Sequence, residues 1–281
     1  MQLSVVIITY NEEANIGRTL ASVQSLVADG KGEIIVVDSG STDRTVEIAK
    51  SQGAKVFVEE WKGYAAQKNS AIDKASGDWI LSLDADEELD SDLIKEFAGR
   101  GEANSRPYEW CLTMEEGREV IHGVPVGFSL RRKNFFLGRS IKHGGFWPDP
   151  KLRLFRRGSG RFEDRAVHED IQIAGRTKPI PRGALLHHSY PTLSDYIDHM
   201  NRYSSLGAEM VVAKGKARFS FINIVLRPLF TFIYNYFFRL GFLDGREGLL
   251  LHLYHAVYVS WKYSKAWELS RKRQTSEVPK K

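Results

Sequence analysis

The first ninety residues alternate between short apolar runs and longer stretches in which apolar residues recur every three or four positions. The runs predict buried strands because they leave no polar face; they are Leu3–Thr9, Ile34–Val37, Val56–Val58 and Trp79–Leu83. The periodic stretches predict helices between them, at about residues 14–26, around 46–49 and at 63–75. This alternation is typical of an α/β fold, a mostly parallel sheet with helices on both faces.

Polar residues follow the predicted strands at the points where the strands end. Tyr10 and Asn11 follow the first strand, Asp38 the second, and Asp84 and Asp86 the fourth. The carboxyl ends of parallel strands meet at one edge of a sheet, where ligands of such folds bind. We therefore expect these side chains to converge on one site. The alternative is that Asn11 and Asp38 act only as turn and helix caps.

The fourth strand leads directly into an acidic segment, with five carboxylates in the seven residues Asp84–Asp90. Like charges so close together repel one another unless positive charge lies among them. That charge can come from solvent ions, from a basic segment of the chain or from a bound divalent cation. Magnesium and manganese sites commonly combine one or two carboxylates with substrate phosphates. At the ligand edge of a sheet, we favour a metal ion that binds together with a diphosphate.

Composition describes an ordinary folded protein of 281 residues, 42% hydrophobic and 27% charged, which allows one large domain or two smaller ones. The single cysteine, Cys111, excludes an intrachain disulfide and favours a reducing compartment. The apolar run at the N-terminus has no basic leader and is too short for a signal peptide, so we interpret it as the first strand.

Positive charge is concentrated near the C-terminus. Arg227–Lys281 contains ten Lys and Arg but four Asp and Glu, so it carries more positive charge than the whole chain, whose net charge is +5. A nucleic-acid-binding protein carries its basic residues on the folded body, so this distribution argues against nucleic acid as a partner.

The same C-terminal region is rich in aromatic residues, with fourteen of the chain's 32 between Phe219 and Trp267. Its apolar runs, Leu229–Phe238 and Gly248–Trp261, are too short to span a bilayer. Aromatic and basic residues together favour amphipathic helices that lie in the interface of an anionic membrane. The alternative is a helical hairpin packed on the body or an oligomer contact. We expect a main domain at 1–215, with halves at about 1–98 and 99–215, and a helical extension at 216–281.

Four segments in the first ninety residues resemble, in order and spacing, the inverting glycosyltransferases of family 2, which have the GT-A fold. They are ITYNEE, VVDSGSTDRT, QKNSAI and DAD. Three later segments, PDPKLRLFRR, AVHED and LLHHSY, resemble the subgroup that includes lipopolysaccharide-core glucosyltransferases. The resemblance implies a nucleoside-diphosphate sugar donor, most often a UDP-sugar such as UDP-glucose, and a divalent cation, Mn²⁺ or Mg²⁺.

The resemblance also implies residue roles at the donor site. Tyr10, Asn11 and Glu12 would contact the nucleoside, Asp38 the base, Lys68 the phosphates, Asp84 the ribose or metal, and Asp86 the metal. Thr9 and Ala85 complete this set of expected donor-site residues. Carboxylates accept hydrogen bonds from base and ribose, and a diphosphate needs cations, so the assignment is chemically coherent. Lys68 remains equally interpretable as a solvated helix lysine.

The acceptor hydroxyl needs a general base during inverting transfer, and a carboxylate is the usual choice. The family pattern places this base at Glu169, with Asp170 as the reserve and His168 in a position to orient the carboxylate. The alternative is an acidic surface turn that pairs with Arg165.

Two further segments carry weaker signals. The pattern LLHHSY points to His187 as a further metal ligand, although a histidine beside an apolar run is often structural. Three arginines, among them Arg153, alternate with apolar residues in KLRLFRR. This pattern favours an edge strand with a solvated face over a clamp for an anionic acceptor.

The sequence therefore predicts a metal-dependent inverting glycosyltransferase that acts on a hydroxyl of a glycan or lipid-linked acceptor in cell-envelope synthesis. We expect it in the cytoplasm, at the inner face of the membrane, and leave an oligomer open. The alternatives are a non-catalytic nucleotide-sugar or glycan-binding subunit and a nucleotidyltransferase. Nucleotidyltransferases usually carry a Gly-rich basic loop after the first strand, and ITYNEEANIGR is acidic there.

Overall fold

A computed structural model describes residues 2–98, 125–163 and 170–276. The first ninety-eight residues alternate strands and helices. In chain order they form β1 (Leu3–Thr9), α1 (Ile16–Val27), β2 (Gly32–Asp38), α2 (Thr45–Ser51), β3 (Lys55–Val58), α3 (Tyr64–Asp73), β4 (Trp79–Asp84), β5 (Glu87–Leu89) and α4 (Ser91–Ala98). The predicted first strand is confirmed at both ends, and the other strands and helices predicted here are present with small shifts of their bounds.

Short strands follow, and then long helices. These are β6 (Gly127–Leu130), β7 (Arg132–Phe136), β8 (Arg139–Ser140), β9 (Lys151–Arg156), β10 (Gly160–Phe162), β11 (Ile171–Ile173), β12 (Thr177–Pro179), β13 (Leu185–Tyr190), α5 (Leu193–Ala213), α6 (Arg227–Ile233) and α7 (Gly245–Ser276). Two π-helical segments, Ile222–Leu226 and Tyr234–Phe238, flank α6.

Seven strands form the central sheet, in the order β12-β6-β9-β4-β1-β2-β3. β4, β1, β2 and β3 are parallel, whereas β9 runs antiparallel to both of its neighbours, β4 and β6. The expected α/β fold with a mostly parallel sheet is therefore confirmed, and strands from the middle of the chain complete the sheet.

Apolar residues of the strands alternate between two layers of core. On β1, Leu3, Val5 and Ile7 pack with residues of α1 and α4, whereas Val6 packs with residues of α3. Successive strand side chains point to opposite faces, so a fully apolar strand requires cover on both. Helices on both faces of the sheet supply that cover.

The chain divides into two compact units. The described residues of Met1–Lys133 and Asp149–His187 form the first, and those of Asn134–Pro148 and His188–Lys281 form the second. The first contains the seven-stranded sheet, and the second contains α5, α6 and α7. The boundary expected near residue 215 stays a prediction.

The second unit is held together by helix packing. α5 begins with a capping box, in which Thr192 accepts a hydrogen bond from Asp195 N and Asp195 accepts one from Thr192 N. Lys265 on α7 donates hydrogen bonds to Asn201 and Ser204 of α5, which fixes these two helices against each other. In the part of the chain that the structure describes, no helix combines the length and apolar character needed to cross a bilayer.

Glu33 links the amino-terminal ends of the parallel strands. Its Oε1 accepts hydrogen bonds from the Ser4 hydroxyl at 2.8 Å and from Ser76 N at 2.7 Å, and its Oε2 pairs with Lys55 Nζ at 2.7 Å. Partial burial by itself would raise the pKa of Glu33, but these hydrogen bonds outweigh it and lower the pKa to about 2 from an ordinary 4.5. The ionised form therefore stabilises the fold.

We expect Glu33→Gln to lower the free energy of unfolding by about 2 kcal/mol at pH 7, because a charged acceptor of several hydrogen bonds is lost. A carboxyl with a depressed folded-state pKa contributes stability above its unfolded pKa and loses it on acidification. The deficit of the variant should therefore shrink as the pH falls from about 4.5 towards about 2. Urea unfolding of wild type and variant across this pH range measures the deficit, with exposed Glu47→Gln as the control. A deficit that does not change with pH would show that the ionised Glu33 carboxylate is not its source.

Candidate active site

The carboxyl ends of three parallel strands lie level with one another. In the sheet register, Thr9 of β1 is opposite Asp38 of β2, and Ile8 of β1 is opposite Asp84 of β4. The polar residues that follow these strands therefore share one edge, as the sequence predicts. Buried Ala85 continues from β4, and its carbonyl oxygen accepts a hydrogen bond from the Thr19 hydroxyl of α1 at 2.6 Å.

Asp84, the last residue of β4, lies between two cations. Lys68 Nζ, from α3, is 2.8 Å from Asp84 Oδ1, and Arg153 Nη2, from β9, is 2.6 Å from Asp84 Oδ2. Burial would raise the pKa of Asp84, but the charges of Arg153 and Lys68 hold it well below its ordinary value. Lys68 is itself buried, so the interpretation as a solvated helix lysine is wrong.

Glu87 is fully buried on β5 and shares Arg153 with Asp84. Its Oε1 is 2.7 Å from Arg153 Nη2 and 3.3 Å from Arg132 Nη1, and its Oε2 accepts a hydrogen bond from Asp84 N. Glu87 was not among the site residues predicted from the sequence. The expectation of an edge strand with a solvated face at Arg153 was wrong, because β9 lies inside the sheet between β4 and β6. The sequence did contain a sign that this strand is buried, because Arg153 lies between two apolar residues, Leu152 and Leu154.

Each of the five carboxylates in Asp84–Asp90 has a basic partner. Arg18 lies 3.4 Å from Glu88, and Lys133 lies 3.0 Å from Asp90. A basic partner segment was one of the three proposed sources of positive charge, and the structure supplies it from separate parts of the chain. Asp86 differs from the other four, because its partner is a histidine rather than a lysine or arginine.

Asp86 and His187, the two predicted metal ligands, lie next to each other. β13 pairs antiparallel with β5, and His187 is opposite Glu87 in that register. Its Nε2 lies 3.3 Å from Asp86 Oδ2. Burial would raise the pKa of Asp86, but His187 reverses the effect and lowers it. The adjacent His188 instead stacks on Phe135, with ring centroids 4.7 Å apart.

The chemistry of this pair fits a divalent cation. A carboxylate oxygen and an imidazole nitrogen are both accepted ligands of Mn²⁺, and neutral imidazole is the commonest metal ligand among side chains. Among the described residues, no group of three or more His, Cys, Asp and Glu is arranged to hold a metal ion. Two protein ligands suit an ion that takes its remaining ligands from water and a diphosphate.

Asp38 is completely buried at the end of β2. Its Oδ1 accepts hydrogen bonds from Gly40 N and Ser41 N at 2.9 and 2.8 Å, and its Oδ2 accepts them from the hydroxyls of Thr9 and Ser41. The carboxylate therefore shapes the loop after β2, which turns at Gly40 with φ of +89°. Its expected contact with the base stays a prediction.

The loops after β1 and β2 hold each other in place. Asn11, with φ of +54°, donates from its backbone N to Ser41 Oγ at 2.8 Å and accepts from Thr42 N through its side chain. Asparagine tolerates this left-handed conformation better than most residues. Glu12 N donates to the Thr45 hydroxyl at 2.7 Å. The reciprocal hydrogen bonds fix the backbone beneath Tyr10, whose side chain is 59% exposed and free to contact a planar base.

Glu12 extends the acidic surface of this edge. Burial raises its pKa, and the negative charges of Asp86, Asp43 and Asp84 add to the increase. Such mutual repulsion among carboxylates is relieved when a cation binds nearby. The electrostatics around Glu12 and Asp86 therefore favour binding of a positive ion at this edge.

A short hairpin, β10–β11, adjoins α3 next to Lys68. Asn69 holds it through two hydrogen bonds to the backbone of Phe162, and Lys68 Nζ lies 5.1 Å from the centre of the Phe162 ring. The predicted base Glu169 and its neighbour His168 lie outside the described residues. Asp170, the reserve candidate, is exposed at the start of the hairpin's second strand. Asn69 was not singled out from the sequence, although it belongs to the QKNSAI segment.

Comparison with known proteins identifies relatives of this chain. Residues 4–160 match the model of the family described as glycosyl transferase family 2. The chain is 30% identical over 274 residues to a protein of Rhizobium meliloti named lipopolysaccharide core biosynthesis glycosyltransferase LpsC, with 95% of this chain and 93% of that protein covered. It is 31% identical over 279 residues to an uncharacterised glycosyltransferase of Rickettsia typhi, with 96% and 88% covered.

A solved structure with a similar fold is the mannosyltransferase PcManGT of Pyrobaculum calidifontis, in complex with GDP-Man and Mn²⁺. The match has a TM-score of 0.51 at 16% identity and covers 99% of this chain and 81% of that one. At this identity the likeness concerns the fold. The family match spans more than half of the chain and includes β2, β4, β5 and β9 and the carboxyl end of β1. The protein is a member of glycosyl transferase family 2.

Proposed function

We propose that this glycosyltransferase is metal-dependent and inverting, and that it moves a sugar from a UDP-sugar such as UDP-glucose to a hydroxyl of a glycan or lipid-linked acceptor. One observation carries the proposal. Asp84 and Asp86 lie at the ligand edge of the sheet, together with Lys68, Arg153 and His187. This group offers cations for a diphosphate and, at Asp86, a carboxylate whose ion-pair partner among residues 2–98, 125–163 and 170–276 is a histidine.

The donor would bind across the ends of β1, β2 and β4. Exposed Tyr10 would contact the base, and the loop carrying Asn11 and Glu12 would contact the nucleoside. Asp38 supports this surface by accepting hydrogen bonds from the loop after β2. We also expect its carboxylate to contact the base. Lys68 would lie near the phosphates, where its charge also balances Asp84.

In the transfer step, the acceptor hydroxyl oxygen attacks the anomeric carbon, and the bond from that carbon to the phosphate oxygen breaks. The bonding electrons leave with the nucleoside diphosphate, and the hydroxyl proton goes to the carboxylate of Glu169, with Asp170 as the reserve base. Lys68 stabilises the negative charge of the departing diphosphate. Asp86 and His187 would hold a divalent cation, Mn²⁺ or Mg²⁺, which when bound also stabilises this charge.

A role in cell-envelope synthesis is supported by the relative named as a lipopolysaccharide core biosynthesis glycosyltransferase. The neighbouring fold that binds GDP-Man with Mn²⁺ supports the class of donor and the metal. An acceptor of this type is attached to lipid, so we place the enzyme in the cytoplasm, at the inner face of the membrane, with residues 1–215 as the catalytic domain and residues 216–281 as the membrane-directed extension.

The function is tested by mixing the protein with Mn²⁺ and UDP-glucose, or with GDP-mannose, and following release of the nucleoside diphosphate. A glycosyltransferase releases it slowly by transferring the sugar to water, and faster when an acceptor is added. A non-catalytic sugar-binding subunit would raise its melting temperature with the donor but release no diphosphate, and that result would contradict the proposal.

We predict that Asp86→Ala abolishes metal-dependent stabilisation by the donor. A ligand at 100 times its dissociation constant adds about 2.7 kcal/mol to the native state, which corresponds to a shift of several degrees in melting temperature. Wild-type protein should show this shift with UDP and Mn²⁺ together, and the variant should show only the smaller effect of UDP alone.

Asp92→Ala, which removes an exposed carboxylate on α4, is the matched control and should keep the full shift. His187→Ala should weaken the metal effect while leaving Asp86 in place. If Asp86→Ala keeps the Mn²⁺-dependent shift, Asp86 does not hold the metal.

We predict that Glu169→Gln leaves donor binding unchanged but lowers turnover by roughly 10²–10⁴-fold, the usual contribution of a general base. Donor binding is measured by thermal shift and turnover by diphosphate release in the presence of acceptor. Asp170→Asn is the matched neighbour and should retain turnover. The opposite result for the two variants would assign the base to Asp170.

A further inference from the structure

The helical segment at residues 222–238 exposes its apolar face. Large apolar side chains recur every three or four positions on one side, and all of them are exposed: Leu226, Leu229, Phe230, Tyr234, Phe237 and Phe238. Phe230 is 65% and Phe238 74% exposed. An amphipathic helix of a globular protein normally turns such a stripe towards the core. This stripe, which we call the 226–238 stripe, is instead available for contact with an apolar medium.

Aromatic rings within the stripe form a regular row. Phe230 stacks on Tyr234 with ring centroids 5.9 Å apart, and Tyr234 stacks on Phe238 at 6.4 Å. Such a row presents a broad apolar surface with one hydroxyl group. Aromatic rings of this kind are favoured at the boundary between lipid and water.

The charge around the stripe has one sign. Residues 214–246 contain six Lys and Arg and one acidic residue, Asp244. Asp244 is buried and accepts hydrogen bonds from the backbone N of Lys142 and of His143, so it does not offset the surface charge. The exposed surface is therefore apolar and basic at once.

Two of the cations lie close together. Arg227 donates a hydrogen bond to the Tyr263 hydroxyl at 2.6 Å, and both Arg227 and Lys262 lie over the Tyr263 ring, at 5.3 and 5.1 Å from its centre. Burial and the charge of Arg227 lower the pKa of Lys262. Within the described residues, neither cation forms an ion pair with a carboxylate. An anion placed beside this pair would relieve their repulsion.

A second copy of the chain fits this surface less well than a lipid. In a two-fold symmetric dimer the same patch meets itself, so basic residues would face basic residues. Interface cores are depleted of charge, and the one acidic residue of 214–246, Asp244, is buried and does not complement the cations at the surface. An anionic bilayer supplies both an apolar layer and negative headgroups.

We propose that the 226–238 stripe inserts into the interface of an anionic membrane and that Arg227 and Lys262 bind the phosphate of a lipid headgroup. This inference deepens the proposed function, on which it rests, because it names the surface that brings the enzyme to a lipid-linked acceptor. Each cation near an anionic surface adds about 1 kcal/mol, or about fivefold in affinity.

The test is flotation of the full chain with vesicles, without donor or metal. Wild-type protein should bind vesicles of phosphatidylcholine with 30% phosphatidylglycerol and should bind phosphatidylcholine vesicles at least about tenfold more weakly. Phe230→Ser with Phe238→Ser should weaken binding to the anionic vesicles by at least about tenfold. Phe57→Ser with Val58→Ser, which removes two exposed apolar side chains of β3, is the matched control and should bind as wild type.

Arg227→Gln with Lys262→Gln should weaken binding to the anionic vesicles by about 25-fold, with little effect on phosphatidylcholine vesicles. Lys50→Gln with Lys95→Gln removes the same net charge from two exposed helices of the first unit and should have a smaller effect. If both charge variants lose the same amount of vesicle binding, Arg227 and Lys262 contribute only through the net charge of the protein. That result would overturn the headgroup site.

Diphosphate release without vesicles should be unchanged in all four double variants. This control shows that the variants fold. It also separates a failure of membrane binding from a failure of the proposed function. Light scattering after gel filtration gives the oligomeric state. A wild-type dimer that Phe230→Ser with Phe238→Ser dissociates, together with absence of vesicle binding, would overturn the membrane proposal in favour of an interface between copies.

Discussion

A carboxylate taken out of water must be paired with positive charge, and this requirement organises the sheet edge at the end of β4. Arg153 lies between Asp84 and Glu87 and pairs with both, and Arg132 adds a second cation for Glu87. Removal of one partner from such a cluster leaves a buried charge uncompensated, which costs several kcal/mol. The site therefore depends on β9, which delivers Arg153 to the middle of the sheet.

One carboxylate at this edge, Asp86, is paired with a histidine instead of a lysine or arginine. Lys68 and Arg153 neutralise Asp84, whereas the charged partner of Asp86 in the described part of the chain is His187. A charge already held by two strong cations contributes little to metal binding, while a carboxylate beside an imidazole is a usable pair of ligands. The same network thus gives different charged partners to two aspartates that are two residues apart. The loops after β1 and β2 are joined by hydrogen bonds between backbone N–H groups and side-chain hydroxyls, which help to hold the rest of this edge.

The second unit differs from the first in that it exposes a row of aromatic and apolar side chains. Its helices are rich in aromatic side chains, but their packing leaves the 226–238 stripe exposed and surrounded by basic residues. Contiguous exposed apolar side chains of this kind commonly mark interaction surfaces. In the proposed function, the donor surface lies in the first unit and the proposed membrane surface in the second.

The sequence by itself determined the strands and helices of the first ninety residues, the placement of polar residues at strand ends and the family. These features follow from side-chain periodicity and short motifs, which are local. Only the tertiary structure decided that Arg153 meets Asp84, 69 positions away, and that the same guanidinium pairs with buried Glu87. That contact depends on the antiparallel insertion of β9 between β4 and β6. Likewise, apolar periodicity at 226–238 is the same for a stripe that faces a core and for one that faces solvent, because periodicity records that a face is apolar and not what covers it.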